Sequence, residues 1–520
     1  MNEQRPLRQM NVKGPFGFKI NPPVFWTSCT IVIIFVIITL INHDDIDQIF
    51  AEIRAFISEK LGWFYVILVN TFVALCFYLT FGPYRHIRIG GETAKPELSR
   101  WQWFAMLFNA GIGLALMFYS LTEPISHYSS PPQIEGLSEH PAQLAFGLTF
   151  MHWGIHGWAI YGLVGLAVAF FAYNRNFPLS LRSVLFPLIG DRIYGWIGHA
   201  VDILSAIATL FGLATTLGIG IQYVSAGLHH LFGLEDSTFN QIVLVFLLTI
   251  AATISVVKGL KKGIKNLSVI SAWLVITILV FVFSVGPSLF MIDSLVQNTG
   301  FYLQHFISLG TWSEVYSKSN WQDEWTLFYW GWWFAWAPFV GIFVARISKG
   351  RTVGELIGGV ILAPTLAIIL WITIFGGAGI YEELYGAGDI VDAVDANVNT
   401  ALYVLLERYP MSFLSSIVVV LAGLIFFVTS SDSGSFVVDC ITSSTDGGTP
   451  KRQRIFWSFL EGLVASTLLI GGGLVALQTA SLTTGLPIAM IMILMCFALF
   501  SELKKELNGM KTTDLKEIKP

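Results

Sequence analysis

Four tryptophans fall within seven positions of the segment FYWGWWFAWAP, residues 328–338. A second segment, FMHWGIHGWAIYG at 150–162, adds two tryptophans and a tyrosine. The faces of aromatic rings are electron-rich and attract cations, above all quaternary ammonium groups, which cannot donate hydrogen bonds. The pattern therefore favours an aromatic cage for a quaternary ammonium compound. The alternative is an aromatic belt at a membrane surface, where Trp and Tyr are also enriched.

Helical spacing predicts which of these rings share a face. Three indoles of the first segment recur every three residues and form one stripe: Trp330, Trp333 and Trp336. If residues 150–162 form one continuous helix, Trp158 and Tyr161 lie close together on one surface and Trp153 is rotated away from them. Neither segment contains a carboxylate that would balance a bound cation.

Two further segments contain groups that could meet an ion. In NAGIGLALMFYS, residues 109–120, Gly111 and Gly113 indicate either an unwound stretch with free carbonyl groups or close helix packing through small residues. In FFVTSSDSGS, residues 426–435, Thr429 and Ser430 supply hydroxyl oxygens, and Asp432 is ionisable inside an apolar run. The alternative for the hydroxyls is hydrogen bonding to their own helix.

Other ionisable groups inside apolar runs are few. His152 and His156 share a helix face, but without a third ligand they make a poor metal site. Glu461 and His152 are, with Asp432, candidates to carry a proton. No paired acids and no metal-ligand set occur in these runs, so the sequence predicts neither an enzyme nor a bound cofactor. The four cysteines have no metal spacing.

The composition places the chain in a membrane. It has 520 residues, of which 54% are hydrophobic and 12% charged, whereas soluble domains have about 25% charged residues. Apolar runs near the ~20 residues that cross a bilayer recur along the chain. We predict an all-α protein with twelve spans: 24–42, 61–82, 101–121, 141–173, 200–232, 238–258, 267–294, 325–346, 352–381, 411–440, 453–477 and 482–503.

The distribution of positive charge predicts the orientation. With this assignment, all but four of the 30 Lys and Arg residues lie on one side, which the positive-inside rule assigns to the cytoplasm. The four exceptions are Arg54, Lys60, Lys318 and Arg408. Both termini are therefore predicted to be cytoplasmic, in a multi-pass cell-membrane protein of prokaryotic type.

Spans three to seven and eight to twelve form two five-span units, which would have opposite topology as in many secondary transporters. We predict the following division of the chain: a cytoplasmic tail (1–23), two peripheral helices (24–82), a first repeat (101–294), an outer connecting segment with an amphipathic helix (295–324), a second repeat (325–503) and a cytoplasmic tail (504–520).

Several of these segments resemble one transporter family. DEWTLFYWGWW (323–333) followed by ARISKGRT (345–352) resembles the hallmark region of the betaine/choline/carnitine transporters, although Glu324 stands where the family usually has a smaller residue. The segments AGIGLALMFYSLTEP, FMHWGIHGWAIYG and FFVTSSDSG are similar to that family's third, fourth and tenth helices. The resemblance covers roughly residues 20–505. It implies an inverted five-plus-five core like that of amino-acid and neurotransmitter symporters, alternating access and a homotrimer.

The resemblance also implies roles for individual positions. A cage for trimethylammonium corresponds to Trp153, Trp158, Tyr161 and Trp333. Trp336 lines the same pathway, Trp330 matches an outer-vestibule position, and the glycine run of the third helix corresponds to Gly111, Gly113 and Ala115, the last replacing a third glycine. A sodium site in the betaine symporters corresponds to Asn109, Ile112, Thr429 and Ser430, with Phe426 as a neighbour.

A second sodium site of those symporters uses two threonines on the fifth helix. This chain has Thr209 but Leu213 at the second position. Because an aliphatic side chain cannot bind sodium, this site is expected to be absent. RNFPLSLRS (175–183) and LFGLATTLGIG (210–220) look most similar to the choline-transporting branch.

We therefore predict a secondary transporter that imports choline by alternating access, coupled to H⁺ or Na⁺. One alternative is a sodium-coupled glycine betaine symporter, although no Arg or Lys lies within a predicted span to bind the betaine carboxylate. Another is a carnitine-type exchanger. A cation channel is a further alternative, but no repeated filter sequence is present.

Overall fold

The computed structural model describes residues 10–42, 45–111, 113–134, 137, 140–258, 263–317, 319–445 and 448–517. These ranges are almost wholly helical, apart from short 3₁₀ and π turns and a two-stranded antiparallel sheet of β1 (Val12–Lys13) and β2 (Lys19–Ile20). The helices are α1 (Pro22–Ile41), α2 (Ile46–Phe81), α3 (Arg100–Gly111), α4 (Leu114–Ser129), α5 (Pro141–Trp153), α6 (Ile155–Arg175), α7 (Leu181–Val184), α8 (Phe186–Ile189), α9 (Trp196–Phe232), α10 (Thr238–Lys258), α11 (Gly263–Val285), α12 (Ser288–Gln304), α13 (Phe306–Thr311), α14 (Phe328–Ile347), α15 (Val353–Tyr385), α16 (Ile390–Ala396), α17 (Ala401–Glu407), α18 (Ser412–Ser443), α19 (Lys451–Ile470) and α20 (Gly473–Glu517).

The number of membrane spans is not confirmed as twelve. Nine helical segments in the described ranges are long and apolar enough to cross a membrane, and a tenth candidate is the pair α11–α12, bent by 106°. The other two predicted spans, 101–121 and 453–477, are helical but fall short of that measure, the first because it is divided between α3 and α4. The inverted repeat and the division of the chain stay predictions.

Two of the predicted spans are broken rather than continuous. The third ends as α3 at Gly111 and restarts as α4 at Leu114, which agrees with the first of the two alternatives given for the glycines, an unwound stretch. The fourth is interrupted at Gly154, whose φ of −97° and ψ of −134° are not helical. The prediction of one helix through residues 150–162 is therefore wrong, because Trp153 ends α5 while Trp158 and Tyr161 belong to α6.

Helix α14 lies at the centre of the molecule, packed against α6, α9 and α20. A π-helical turn at Asp323–Leu327 precedes it. Small residues permit the close packing: a Cβ atom added to Gly331 would lie 2.5 Å from the Cα atom of Leu482 on α20. Because α14 is central, most of its side chains are buried, although the helix contains four tryptophans.

Candidate functional site

A cavity between α4, α5, α6, α9 and α14 is the candidate site. It contains about 480 Å³ of empty space, which includes open solvent at its mouth. Among the described residues its wall contains no charged side chain. The lining residues are Gly113, Ala115, Leu116, Trp153, Tyr161, Thr216, Trp332, Trp333 and Trp336.

Three indole rings form a corner of this cavity. The centroids of Trp153 and Trp333 are 6.3 Å apart with an angle of 74° between the planes, and those of Trp153 and Trp332 are 6.1 Å apart at 80°. Two perpendicular rings that each face one cation at roughly 4.5 Å have centroids roughly 6.4 Å apart, within the range of cation–π attraction. The spacing of these rings therefore suits a cation the size of a methylated ammonium.

The four residues matched to a cage lie together in the fold. Tyr161 and Trp333 have ring centroids 4.7 Å apart, Trp158 and Trp333 5.8 Å, and Trp158 and Tyr161 5.5 Å. Trp158 is fully buried and does not line the cavity, so it supports the other rings from behind. Direct contact of Trp158 with a ligand stays a prediction.

Hydrogen bonds at the indole nitrogens fix the direction of the ring faces. The Nε1–H of Trp333 donates to the carbonyl oxygen of His152 at 3.0 Å, and that of Trp336 donates to the carbonyl oxygen of Gly212 at 2.9 Å. These bonds hold one edge of each ring against a neighbouring helix. The bonded edges are therefore not available to a ligand in the cavity.

A buried carboxylate that the sequence analysis did not single out anchors the third indole. The Nε1–H of Trp153 donates to Glu123 Oε2 at 2.8 Å, and the hydroxyl of Tyr329 also donates to Oε2. His152 Nδ1 lies 2.7 Å and His127 Nε2 3.3 Å from Oε1. Two donors and two imidazole nitrogens thus converge on one carboxylate. An ionised carboxylate accepts from all four when each imidazole has its proton on the nitrogen that faces it.

The same cluster shows which of the two histidines named in the sequence analysis has further possible ligand groups beside it. Ligand-type atoms of Glu123, His127 and His152 lie within 4.8 Å of one another, so His152 has the neighbours that the sequence analysis found missing, whereas His156 lies outside the group. His152 Nε2 is 2.9 Å from the hydroxyl of Thr326. Hydrogen bonds within the cluster account for the observed positions of these groups. In the sequence, Glu123 lies near the end of the segment AGIGLALMFYSLTEP, beyond the predicted span 101–121. The resemblance of this segment to the family was the only signal that pointed to it.

The remaining tryptophans of the motif divide between wall and core. Trp332, which was not among the predicted ligand contacts, lines the cavity, whereas Trp330 is fully buried beside His152 and His156 and lines no part of it. Exposure rises along α14 from Trp330 to the partly exposed Trp336. Among the tryptophans of α14, Trp336 is therefore the most accessible member of the cavity wall.

The predicted sodium ligands are only partly described. The side chain of Asn109 and all of Ile112 lie outside the described part of the chain. The hydroxyl of Thr429 donates to the carbonyl oxygens of Ile425 and Phe426 at 3.0 and 3.1 Å, which leaves its oxygen lone pairs available. Ser430 is partly exposed and Phe426 is buried. The role of this group in ion binding stays a prediction.

Two other predicted ion positions have defined surroundings. Asp432 forms an ion pair with Arg454, whose Nη2 is 2.5 Å from Oδ1, and accepts a hydrogen bond from Ser255 at 2.8 Å. Leu213 packs against α18, where a Cβ atom added to Gly434 would lie 2.2 Å from Leu213 Cδ1. Hydrocarbon thus fills the contact between α9 and α18 at this position.

Gly157 offers a test of the cavity wall. A Cβ atom there would lie 2.3 Å from Trp333 Cε2, so we expect Gly157→Ala to displace the indole and weaken binding of trimethylammonium compounds by about tenfold, or ~1.4 kcal/mol. Gly162→Ala on the same helix is the matched control, because its Cβ atom would meet Ile357 Cδ1 at an ordinary 3.4 Å. Titration followed by tryptophan fluorescence measures both. Equal affinity in the two variants would contradict the assigned wall.

Comparison with known proteins identifies relatives over nearly the whole chain. The family model of the betaine/carnitine/choline family transporters matches residues 23–508. A glycine betaine transporter of Acinetobacter baylyi is 39% identical over 95% of this chain and 74% of its own length. Vibrio parahaemolyticus has a glycine betaine/proline/choline transporter that is 39% identical over 95% of this chain and 92% of its own. Its glycine betaine transporter 1 is also 39% identical, over 94% and 95%.

Proposed function

The chain belongs to the betaine/carnitine/choline transporter family, a family of multi-pass plasma-membrane proteins in bacteria, and on this premise we propose that it imports choline. The trimethylammonium group binds in the corner formed by Trp153, Trp332 and Trp333. Alternating access moves the substrate, and binding of H⁺ or Na⁺ favours the same conformations as binding of choline. Such coupling is typically worth ~1–3 kcal/mol.

The observation that carries this proposal is the perpendicular arrangement of indole faces around an uncharged cavity. Each desolvated face contributes ~0.5–2 kcal/mol to the binding of a cation. The anionic Glu123 lies directly behind Trp153, which makes the cavity favourable for a net positive ligand. Choline has one positive charge and no carboxylate, so it matches both features.

Glycine betaine is the second candidate, and the names of the relatives favour it. Two of the three relatives described above are named as glycine betaine transporters, and the third name includes both compounds. Betaine adds a carboxylate that needs a donor. The described lining offers the hydroxyls of Thr216 and Tyr161 and the backbone at Gly113, but no Arg or Lys.

Uptake into proteoliposomes tests the proposal. Labelled choline and labelled glycine betaine are offered separately, each under an imposed Na⁺ gradient, an imposed H⁺ gradient or neither. We expect choline to accumulate above its external concentration under one of the two gradients. Accumulation of betaine alone would replace choline by the second candidate. Equal movement without any gradient would indicate an exchanger or a channel.

We also propose that the protein assembles as a homotrimer, which the family resemblance implies. Light scattering of the purified protein, corrected for detergent and lipid, should give three times the mass of one chain. A monomer mass in both detergent and lipid nanodiscs would contradict this.

A further inference from the structure

A row of buried polar side chains lies between α18 and α19. On α18 it includes Ser431, Asp432 and Asp439, and on α19 it includes Arg454 and Glu461, all with less than 9% of their surface exposed. Charges inside a membrane protein are costly and commonly mark ion or proton pathways. The transport cavity does not include these residues, so the row needs its own explanation.

The two central members of the row balance each other. Arg454 Nη2 lies 2.5 Å from Asp432 Oδ1, and Ser255 of α10 donates to Asp432 Oδ2 at 2.8 Å. The positive and negative charges of this pair cancel, and both oxygens of Asp432 have a donor. No net charge of this pair remains to balance a third ionised group.

Glu461 is that third group. Its side chain is completely buried, Oε2 lies 3.0 Å from the hydroxyl of Ser431, and Oε1 has no hydrogen-bond partner among the described residues. The titratable groups that act on it are Asp432 from α18 and Arg454 from α19 itself; in the described ranges the other helices packed against α19, namely α1, α9, α10 and α20, add none. An unpaired carboxylate in this place would cost several kcal/mol.

From this geometry we propose that Glu461 is the proton-binding group of the transporter and that its carboxyl group is protonated in the conformation that the structure describes. The proposal rests on the proposed function, since it names the coupling ion of that transport. It assigns H⁺ rather than Na⁺ as the driving ion. A proton adds to the Glu461 carboxylate from the outer solution and leaves as hydronium to the cytoplasm, so charge and atoms balance.

The position of Glu461 connects it to the transport site. Ser431, its hydrogen-bond partner, directly follows Thr429 and Ser430, and α18 packs against α9 and α14, which form the cavity wall. A movement of α18 relative to α19 would change the bond between Ser431 and Glu461. Protonation at Glu461 and the conformation of the cavity wall are therefore linked through one helix.

Further polar atoms extend from Glu461 toward the predicted cytoplasmic end. Arg454 Nε, Ser458 Oγ and Asp439 Oδ1 are buried and have no hydrogen-bond partner in the described part of the chain. Thr449, in the loop that follows α18, donates to Asp439 Oδ2. These unfilled hydrogen-bonding positions form the route by which we expect the proton to leave.

The test uses Glu461→Gln in proteoliposomes, because the amide keeps the shape of a protonated carboxyl but cannot release a proton. Two assays are compared: choline accumulation driven by an acidic outer solution, and counterflow of labelled against unlabelled choline without an ion gradient. We expect accumulation to fall at least about tenfold, while counterflow stays within about threefold of the unsubstituted protein and loses its dependence on pH. A pH-sensitive dye should show that choline no longer carries protons inward.

Glu59→Gln is the control, since it makes the same chemical change on a carboxylate whose side chain is 72% exposed; both assays should be unchanged. Accumulation by Glu461→Gln with undiminished proton movement would overturn the proposal. So would an unsubstituted protein that accumulates choline with Na⁺ only, although the proposed function would then stand. If the unsubstituted protein shows no counterflow of choline or betaine, the proposed function itself fails.

A second measurement avoids dependence on the folding of one variant. Dicyclohexylcarbodiimide reacts with protonated carboxyl groups in apolar surroundings, and mass spectrometry locates the modified residue. In the unsubstituted protein at acidic pH we expect modification of Glu461 with a parallel loss of proton-driven accumulation. Loss of accumulation without modification at Glu461 would assign the proton to another group.

Discussion

Replacing Trp333 by Leu is expected to abolish choline binding and uptake, with at least a hundredfold loss of affinity. The indole of Trp333 is a wall of the cavity and contacts the rings of Trp153, Trp158 and Tyr161. Leucine removes one cation–π face, worth ~0.5–2 kcal/mol, and also releases the neighbouring rings from their perpendicular arrangement. A factor of a hundred corresponds to ~2.7 kcal/mol, so we expect the displacement of the neighbouring rings to cost at least about 0.7 kcal/mol beyond the lost face.

The control for this variant is Trp371→Leu. Trp371 is equally deep in the molecule, but it lies on α15 and does not line the cavity. Both substitutions remove a buried indole, so both should lower the melting temperature in detergent, whereas only Trp333→Leu should abolish binding. High-affinity uptake by Trp333→Leu would refute the assigned site.

Replacing Glu123 by Gln is expected to weaken choline binding by at least tenfold and betaine binding by less. A carboxylate accepts hydrogen bonds only, and Glu123 receives them from Trp153, Tyr329, His152 and His127. The NH₂ group of glutamine is itself a donor, so its contacts with some of these donors become repulsive. The lost charge adds about 2 kcal/mol for a cation ~8 Å away at an effective dielectric constant of ~20.

The comparison of the two ligands separates charge from position. Betaine is neutral overall. Its affinity for Glu123→Gln should therefore fall because Trp153 is displaced, but only slightly because the negative charge is lost. Thr326→Val serves as the control, because it removes the contact to His152 Nε2 while the carboxylate keeps its charge; we expect a change of no more than about threefold. Equal losses for choline and betaine in Glu123→Gln, measured by calorimetry, would contradict the role of the charge.

Further aromatic residues pack beside the rings of the site. Tyr119 lies 6.4 Å from Trp325 and 6.3 Å from Phe328 between ring centroids, and it also contacts Trp153 and Trp332. In the alternating access that we propose, a movement that opens this side has to separate these aromatic contacts.

Much about this protein was determined by its sequence alone. The apolar composition and the length of the apolar runs require a membrane, because water cannot solvate so much hydrocarbon. The regular spacing of indoles in 328–338 predicts one stripe of Trp330, Trp333 and Trp336, of which the last two line the cavity. The family was indicated by short segments such as DEWTLFYWGWW that resemble its hallmark region, and the family model over residues 23–508 confirms it.

Only the tertiary structure decided which faces meet. Periodicity gives the face of a helix on which a residue lies, but it does not give the helix that packs against that face. Trp332 therefore lines the cavity, whereas Trp330 does not. The break at Gly154 places Trp153 on α5 and Trp158 on α6. Glu123 lies 29 positions from His152 and 206 from Tyr329, and only long-range packing of α4, α5 and α14 brings such groups into hydrogen-bonding distance.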